Sequence, residues 1–108
     1  MKQGKIISGF RIEIYPEVIG GEYTLGQAKS MLTDGWRLPT AQEAKVIFLL
    51  FAAGTRPSED IALAHDYWTS TPMNKTHIYS ISLGYDLRSH LVGFAPFRRL
   101  HILPVRDI

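Results

Sequence analysis

Cysteine is missing altogether from this chain of 108 residues. Its absence removes disulfides, thiolate zinc sites, iron–sulfur clusters and cysteine nucleophiles together. Long apolar runs are missing as well. The most apolar stretch, Val46 to Ala53, is far shorter than the roughly 20 residues a membrane-crossing helix needs. The opening Met1-Lys2-Gln3-Gly4-Lys5-Ile6-Ile7-Ser8 lacks the apolar centre of a secretory signal. Charge of one sign is scarce. Net charge is only +2 although the isoelectric point is near 9.0, without the dense cationic stripe of a duplex-binding surface. There is no phosphate-cradling glycine motif, no glycine elbow around a serine and no metalloprotease histidine pair. These gaps predict a soluble, cytoplasmic protein with neither nucleic acid nor membrane as partner.

What is present reads as one globular domain over 1–108, with 45% apolar and 20% charged residues. A chain of this length buries roughly 60–70% of its unfolded surface, enough for a single core. The local signals concentrate in Gly35-Trp36-Arg37-Leu38-Pro39-Thr40-Ala41-Gln42-Glu43. Pro39 forces Leu38 into extended backbone, so no helix runs through the pair. Thr40 then serves as N-cap, and Glu43 three residues on completes a capping box. A helix follows from Ala41 to Ala53, with Gly54 as its stop. Ala44, Ile47, Phe48, Leu50 and Phe51 cover more than half its circumference, which predicts a largely buried helix. Trp36 and Leu38 are expected to pack beneath it as core. Arg37 is either a solvated loop charge or a planar fork tying the turn to a carbonyl or carboxylate.

Elsewhere the periodicities are short. Phe10, Ile12 and Ile14 alternate with charged residues as in a half-buried strand. Pro16 and Gly20-Gly21 close it. Thr24 to Gln27 is a second capping box, with Leu25, Ala28, Met31 and Leu32 at helical spacing before Asp34-Gly35. Thr55 to Asp66 reads as a loop holding a helical turn at Ile61-Ala62-Leu63-Ala64. Tyr67 to Thr71 has high strand propensity and ends at Pro72. His77 to Leu83 alternates, Gly84-Tyr85-Asp86 is a turn, and strands are expected around Arg88 to Phe94 and from Arg98 to Val105. Strands after a helical pair predict an α+β fold: two helices on a small antiparallel sheet whose N- and C-terminal strands pair.

Gly-Trp-Arg-Leu-Pro-Thr with Glu43, then Tyr-Trp-Thr-Ser-Thr, then Pro-Val-Arg near the end, resemble a bacterial and phage family of C-type-lectin-like domains. Members include the C-terminal domains of collagen-like adhesins. The Arg-Leu-Pro-Thr element is also similar to formylglycine-generating enzymes and to receptor-binding proteins diversified by retroelements. The resemblance covers Gly35 to Arg106. It implies structural roles for Trp36, Arg37, Leu38, Pro39, Thr40, Glu43, Trp68, Ser70, Thr71, Val105 and Arg106. The cysteines of the oxidase branch are missing, as are the Glu-Pro-Asn and Trp-Asn-Asp triplets of calcium-dependent sugar binders. Ser58-Glu59-Asp60 alone is a poor calcium set. No metal and no cofactor is expected.

The chemistry-bearing residues are then weighed on their own. His65, Asp66 and His77 form the nearest thing to an acid–base group, but adjacent residues of extended chain point apart. The richer set is Tyr85, Asp86, Arg88, His90, Arg98 and Arg99, interleaved with Phe94 and Phe97, the composition favoured at binding hot spots. The expected function is a non-enzymatic recognition module that holds a protein or other macromolecule through the long loop and late strands. With neither stalk nor leader in view, the expected setting is a phage or mobile element acting on a host factor. The competing expectation is a binder of small anions using Arg88, His90 and Arg98.

Overall fold

The computed structural model describes residues 5–7, 11–17, 19–53, 65–83 and 89–108. Phe10, Gly54, the Ser58-Glu59-Asp60 cluster, the turn at Ile61 to Ala64 and the segment from Gly84 to Arg88 lie outside them, and so do the expectations placed there. Among the described residues, two helices and seven short strands make an α+β fold with two antiparallel sheets. Strand β1 (Lys5–Ile7) pairs with β2 (Ile12–Ile14), Lys5 opposite Ile14. Helix α1 (Leu25–Met31) and strand β3 (Trp36–Arg37) lead into helix α2 (Ala41–Ala52). Strands β4 (Tyr67–Pro72), β5 (Ile78–Leu83) and β6 (Ser89–Phe94) follow, and β7 (Val105–Asp107) ends the chain.

Both helices start where the caps place them. Thr24 and Thr40 sit in extended backbone, each accepting from the amide three residues on, with Gln27 and Glu43 reaching back. The terminal strands do pair. β7 lies between β2 and β3 in the order β1-β2-β7-β3, with Ile14 opposite Val105 and Trp36 opposite Arg106.

One small sheet was expected and two are found, the second in the order β4-β5-β6. The reason lies in residues 98–104, expected as strand. Only isolated bridges form there, Tyr23 with Leu100 and Tyr67 with His101. Pro104 has no amide to donate, and Ile102 through Val105 are all buried. Leu100 and Ile102 enter one apolar cluster while Leu103 and Val105 enter the other. The segment is a wedge between two halves of the core rather than a ladder strand.

Helix α2 is the centre of the first half. Ala44, Ile47, Phe48 and Phe51 share one buried cluster with Tyr67 and Ile81 of the second sheet and Ile12, Ile14 and Val105 of the first. Adjacent strand residues face opposite ways, so Trp68 turns from Tyr67 into the second half with Leu25, Ala28, Leu38 and Ile102. Sheet β4-β5-β6 is therefore covered on both faces. Trp36 is not among these core residues, contrary to expectation; it is half-buried at the edge of the first sheet.

Candidate functional site

The reversal from α1 into β3 is made by consecutive left-handed residues, Asp34 at φ 58° and Gly35 at φ 83°. Only glycine adopts such backbone freely, and Asp tolerates it better than most. The turn delivers Trp36 and Arg37 to the edge of β7. Across that pair the Arg106 guanidinium lies 4.3 Å from the centre of the Trp36 ring. Glu13 holds Arg106 at 2.6 and 3.2 Å. Tyr15 meets the same indole edge-to-face at 5.0 Å. Trp36 is pinned rather than buried.

Arg37 resolves to the fork alternative. Its guanidinium donates to both oxygens of Glu43 at 2.8 and 3.0 Å, to Asp107 at 2.9 and 3.3 Å, and to the Leu38 carbonyl at 3.2 Å. Hydrogen bonds to the two carboxylates, Glu43 first, hold its pKa above the usual arginine range. Burial pushes the Glu43 carboxyl up, but hydrogen bonds from Arg37 and Thr40 outweigh it and the net displacement is downward. Asp107 is held low by Arg37.

The two signature motifs join here. The Pro39 carbonyl accepts from the Ser70 amide at 2.8 Å, and the Thr71 hydroxyl accepts from the Ala41 amide at 2.9 Å. One strand thus satisfies an otherwise free amide of the α2 first turn. Ser70, expected to hydrogen-bond within the sheet, bonds instead to the Pro39 carbonyl outside it, and Trp68 donates its indole N–H to the Tyr23 carbonyl at 2.7 Å. Pro39 and Trp68 are fully buried. Trp36, Arg37, Pro39, Thr40, Glu43, Trp68 and Arg106 each make a packing or hydrogen-bonding contact in this region.

The expected binding set is only partly assembled. Tyr85, Asp86 and Arg88 lie outside the described residues. His90 is exposed on β6, opposite Ser82. Arg98 and Arg99 are exposed, with the Arg98 guanidinium 5.4 Å over the Phe94 ring. Phe94 packs against the second core cluster, whereas Phe97 is 77% exposed at the turn tip. The Arg98 amide donates to the Ala95 carbonyl at 3.0 Å, and Pro96 accepts from the first amide of α1 at 3.1 Å, so this turn is tied to the helix.

His65, Asp66 and His77 are not gathered into one site. His65 stacks on His101 at 4.2 Å, while His77 sits in the β4–β5 hairpin, its Nδ1 2.7 Å from the Thr76 hydroxyl. Burial and then the neighbouring His65 charge lower the His101 pKa, against opposing pulls from Glu22 and Asp66. Among the described residues no three His, Asp or Glu side chains are grouped to hold a metal ion. None of their helices is long and apolar enough to cross a membrane.

Two cavities escaped sequence reasoning, and both use Trp36 as a wall. One of about 180 Å³ is lined by Lys29, Leu32, Trp36, Arg37, Leu38 and Ser70. The other, about 390 Å³, is lined by Tyr15, Ile19, Met31, Leu32, Thr33, Asp34 and Trp36. No spacing in the chain announces either, because β2, the end of α1 and β3 meet only in the fold. No protein-family model and no curated protein matches the chain.

Proposed function

We propose that this chain is a non-catalytic recognition module of C-type-lectin-like architecture, holding a protein partner through the turn after β6. The observation that carries the reading is Phe97, an aromatic ring left 77% exposed beside the exposed Arg98 and Arg99. Arginine is enriched among the residues that carry interface energy, and aromatic residues including Phe are enriched at interfaces. The turn is fixed to α1 and braced by the Arg98–Phe94 contact. A braced anchor loses little freedom on binding, which is how preorganisation raises affinity. The lectin-like part of the reading is supported by paired terminal strands enclosing two capped helices and a second three-stranded sheet. The partner surface that fits is acidic with an apolar recess, and a host factor met by a phage or mobile-element protein is the proposed setting.

The test uses the wild-type chain as bait in extract of its native host, followed by two variants. Phe97→Ala and the double reversal Arg98→Glu with Arg99→Glu should each lose the retained partner while melting within about 2 °C of wild type. Retention of the same partner by both variants, or unfolding of both, would remove the turn from the binding surface.

A further inference from the structure

The Trp36 indole is held from two sides and still half-open. Arg106 stacks on it at 4.3 Å, Tyr15 meets it at 5.0 Å, and Glu13 locks Arg106 in place. Beside this fixed pair of rings lies the cavity of about 390 Å³, completed by the Met31 thioether, aliphatic Ile19 and Leu32, the Thr33 hydroxyl and the Asp34 carboxylate. Asp34 is the only charged group of that lining. The adjoining ion cluster adds to the same sign, since Arg37 faces two carboxylates, Glu43 and Asp107, while Arg106 and Glu13 cancel. Lys29 belongs to the smaller cavity.

We propose that this cavity is a binding site for a quaternary ammonium group, the choline or trimethyllysine head. Fixed aromatic rings attract a cation by their quadrupole, and a carboxylate at the rim supplies the countercharge. One face of the indole is taken by the Arg106 guanidinium, whose charge Glu13 balances, so a ligand cation meets only the part of the ring that borders the cavity. The lining distinguishes among cations. A guanidinium brings five N–H donors and an ammonium three, while the described lining offers side-chain oxygens at Asp34, Thr33 and Tyr15 alone. A quaternary head has no donor to leave unmet. Size agrees, since a cavity of about 150 Å³ already accepts benzene, and the space beside Trp36 is larger. An anionic ligand, expected from the sequence at Arg88, His90 and Arg98, would meet Asp34 here with the wrong sign.

The site stands apart from the Phe97 turn: the turn adjoins the first residue of α1, whereas the cavity lies at its last turn. Failure of one therefore leaves the other intact. Choline is titrated into the intact chain beside its neutral carbon isostere, 3,3-dimethylbutan-1-ol, with the Trp36 indole N–H and Met31 methyl signals followed by NMR. Choline should saturate both signals about fivefold or more tightly than the isostere. Asp34→Asn, which keeps a residue tolerant of positive φ, should weaken choline about fivefold and leave the isostere unchanged. A short blocked peptide carrying trimethyllysine forms a parallel arm; tighter binding there places the natural source in a protein, tighter choline binding in a small molecule. Equal binding of choline and isostere overturns the proposal without reference to any variant. Indifference to Asp34→Asn, or shifts at neither Trp36 nor Met31 with both cations, does so too.

Discussion

Arg37 shows how much one side chain can settle. Five donors in a planar fork meet two carboxylates and a carbonyl, so lysine cannot replace it. Glu43 is the more buried partner, its side chain 10% exposed against 33% for Arg37. Glu43→Gln keeps a cap acceptor for Thr40 and removes the charge. It should lower unfolding stability at neutral pH by about 1 kcal/mol, discounted for solvent at Arg37. The sign with pH follows from the downward displacement of the Glu43 pKa. Its contribution is complete above the ordinary glutamate range and disappears as pH falls through the lower folded value. Urea midpoints measured from neutral pH downward should therefore converge for wild type and Glu43→Gln in acid. His101 offers a second titration. Its folded pKa lies below the ordinary 6.5 because burial and His65 both disfavour the imidazolium. Neutral His101 thus adds stability above pH 6.5 that is lost as pH falls through its folded value. NMR titration of the His101 ring should place its midpoint below 6.5, and His65→Ala should move that midpoint upward. An unmoved midpoint would mean that burial alone sets it.

At the scale of elements, α2 is capped from two directions. Thr40 and Glu43 cap it from its own chain, and Thr71 of β4 reaches the Ala41 amide. The Thr40–Glu43 pair is visible in the sequence, since its spacing is local and its geometry is dictated by Pro39. The Thr71 contact spans 30 residues and has no local signal. Both contribute to the same helix end. Thr40→Ala should cost about 1 kcal/mol, and Thr71→Val about 1 kcal/mol through the amide it leaves unpaired. Because the two act on one first turn, their combined effect in urea unfolding should depart from the sum. Strict additivity would show that the two caps act on that turn independently. Strand periodicity was less informative. It located β2, β5 and β6, yet it also proposed a ladder strand from Arg98 to Val105, where Leu100 and Ile102 enter one core half and Leu103 and Val105 the other instead of alternating between core and water.

For the whole molecule the decisive strand is the last. β7 hydrogen-bonds to β2 on one side and β3 on the other, and it brings Arg106 to Glu13 and Trp36. Contacts across 93 residues of chain carry a loop-closure entropy that local helices do not. Removal of residues 105–108 should abolish the cooperative thermal transition followed by circular dichroism, although both capping boxes remain. A truncated chain that still melts cooperatively would show that α2 and β4-β5-β6 fold without the terminal sheet.

Caps and the proline gate were readable in the residue order, because each depends on neighbours a few positions apart; the pairing of the terminal strands was readable from apolar alternation, but the bounds of the last one were not, since it begins only at Val105. The division into two sheets, the half-open setting of Trp36, the stacking of His65 on His101 and the cavity beside Asp34 were not. Those features arise where residues distant in the chain share a boundary, and no local propensity encodes which boundary that is. Side chains at positions 13, 15, 34, 36 and 106 acquire their joint chemistry only once β7 has drawn them together.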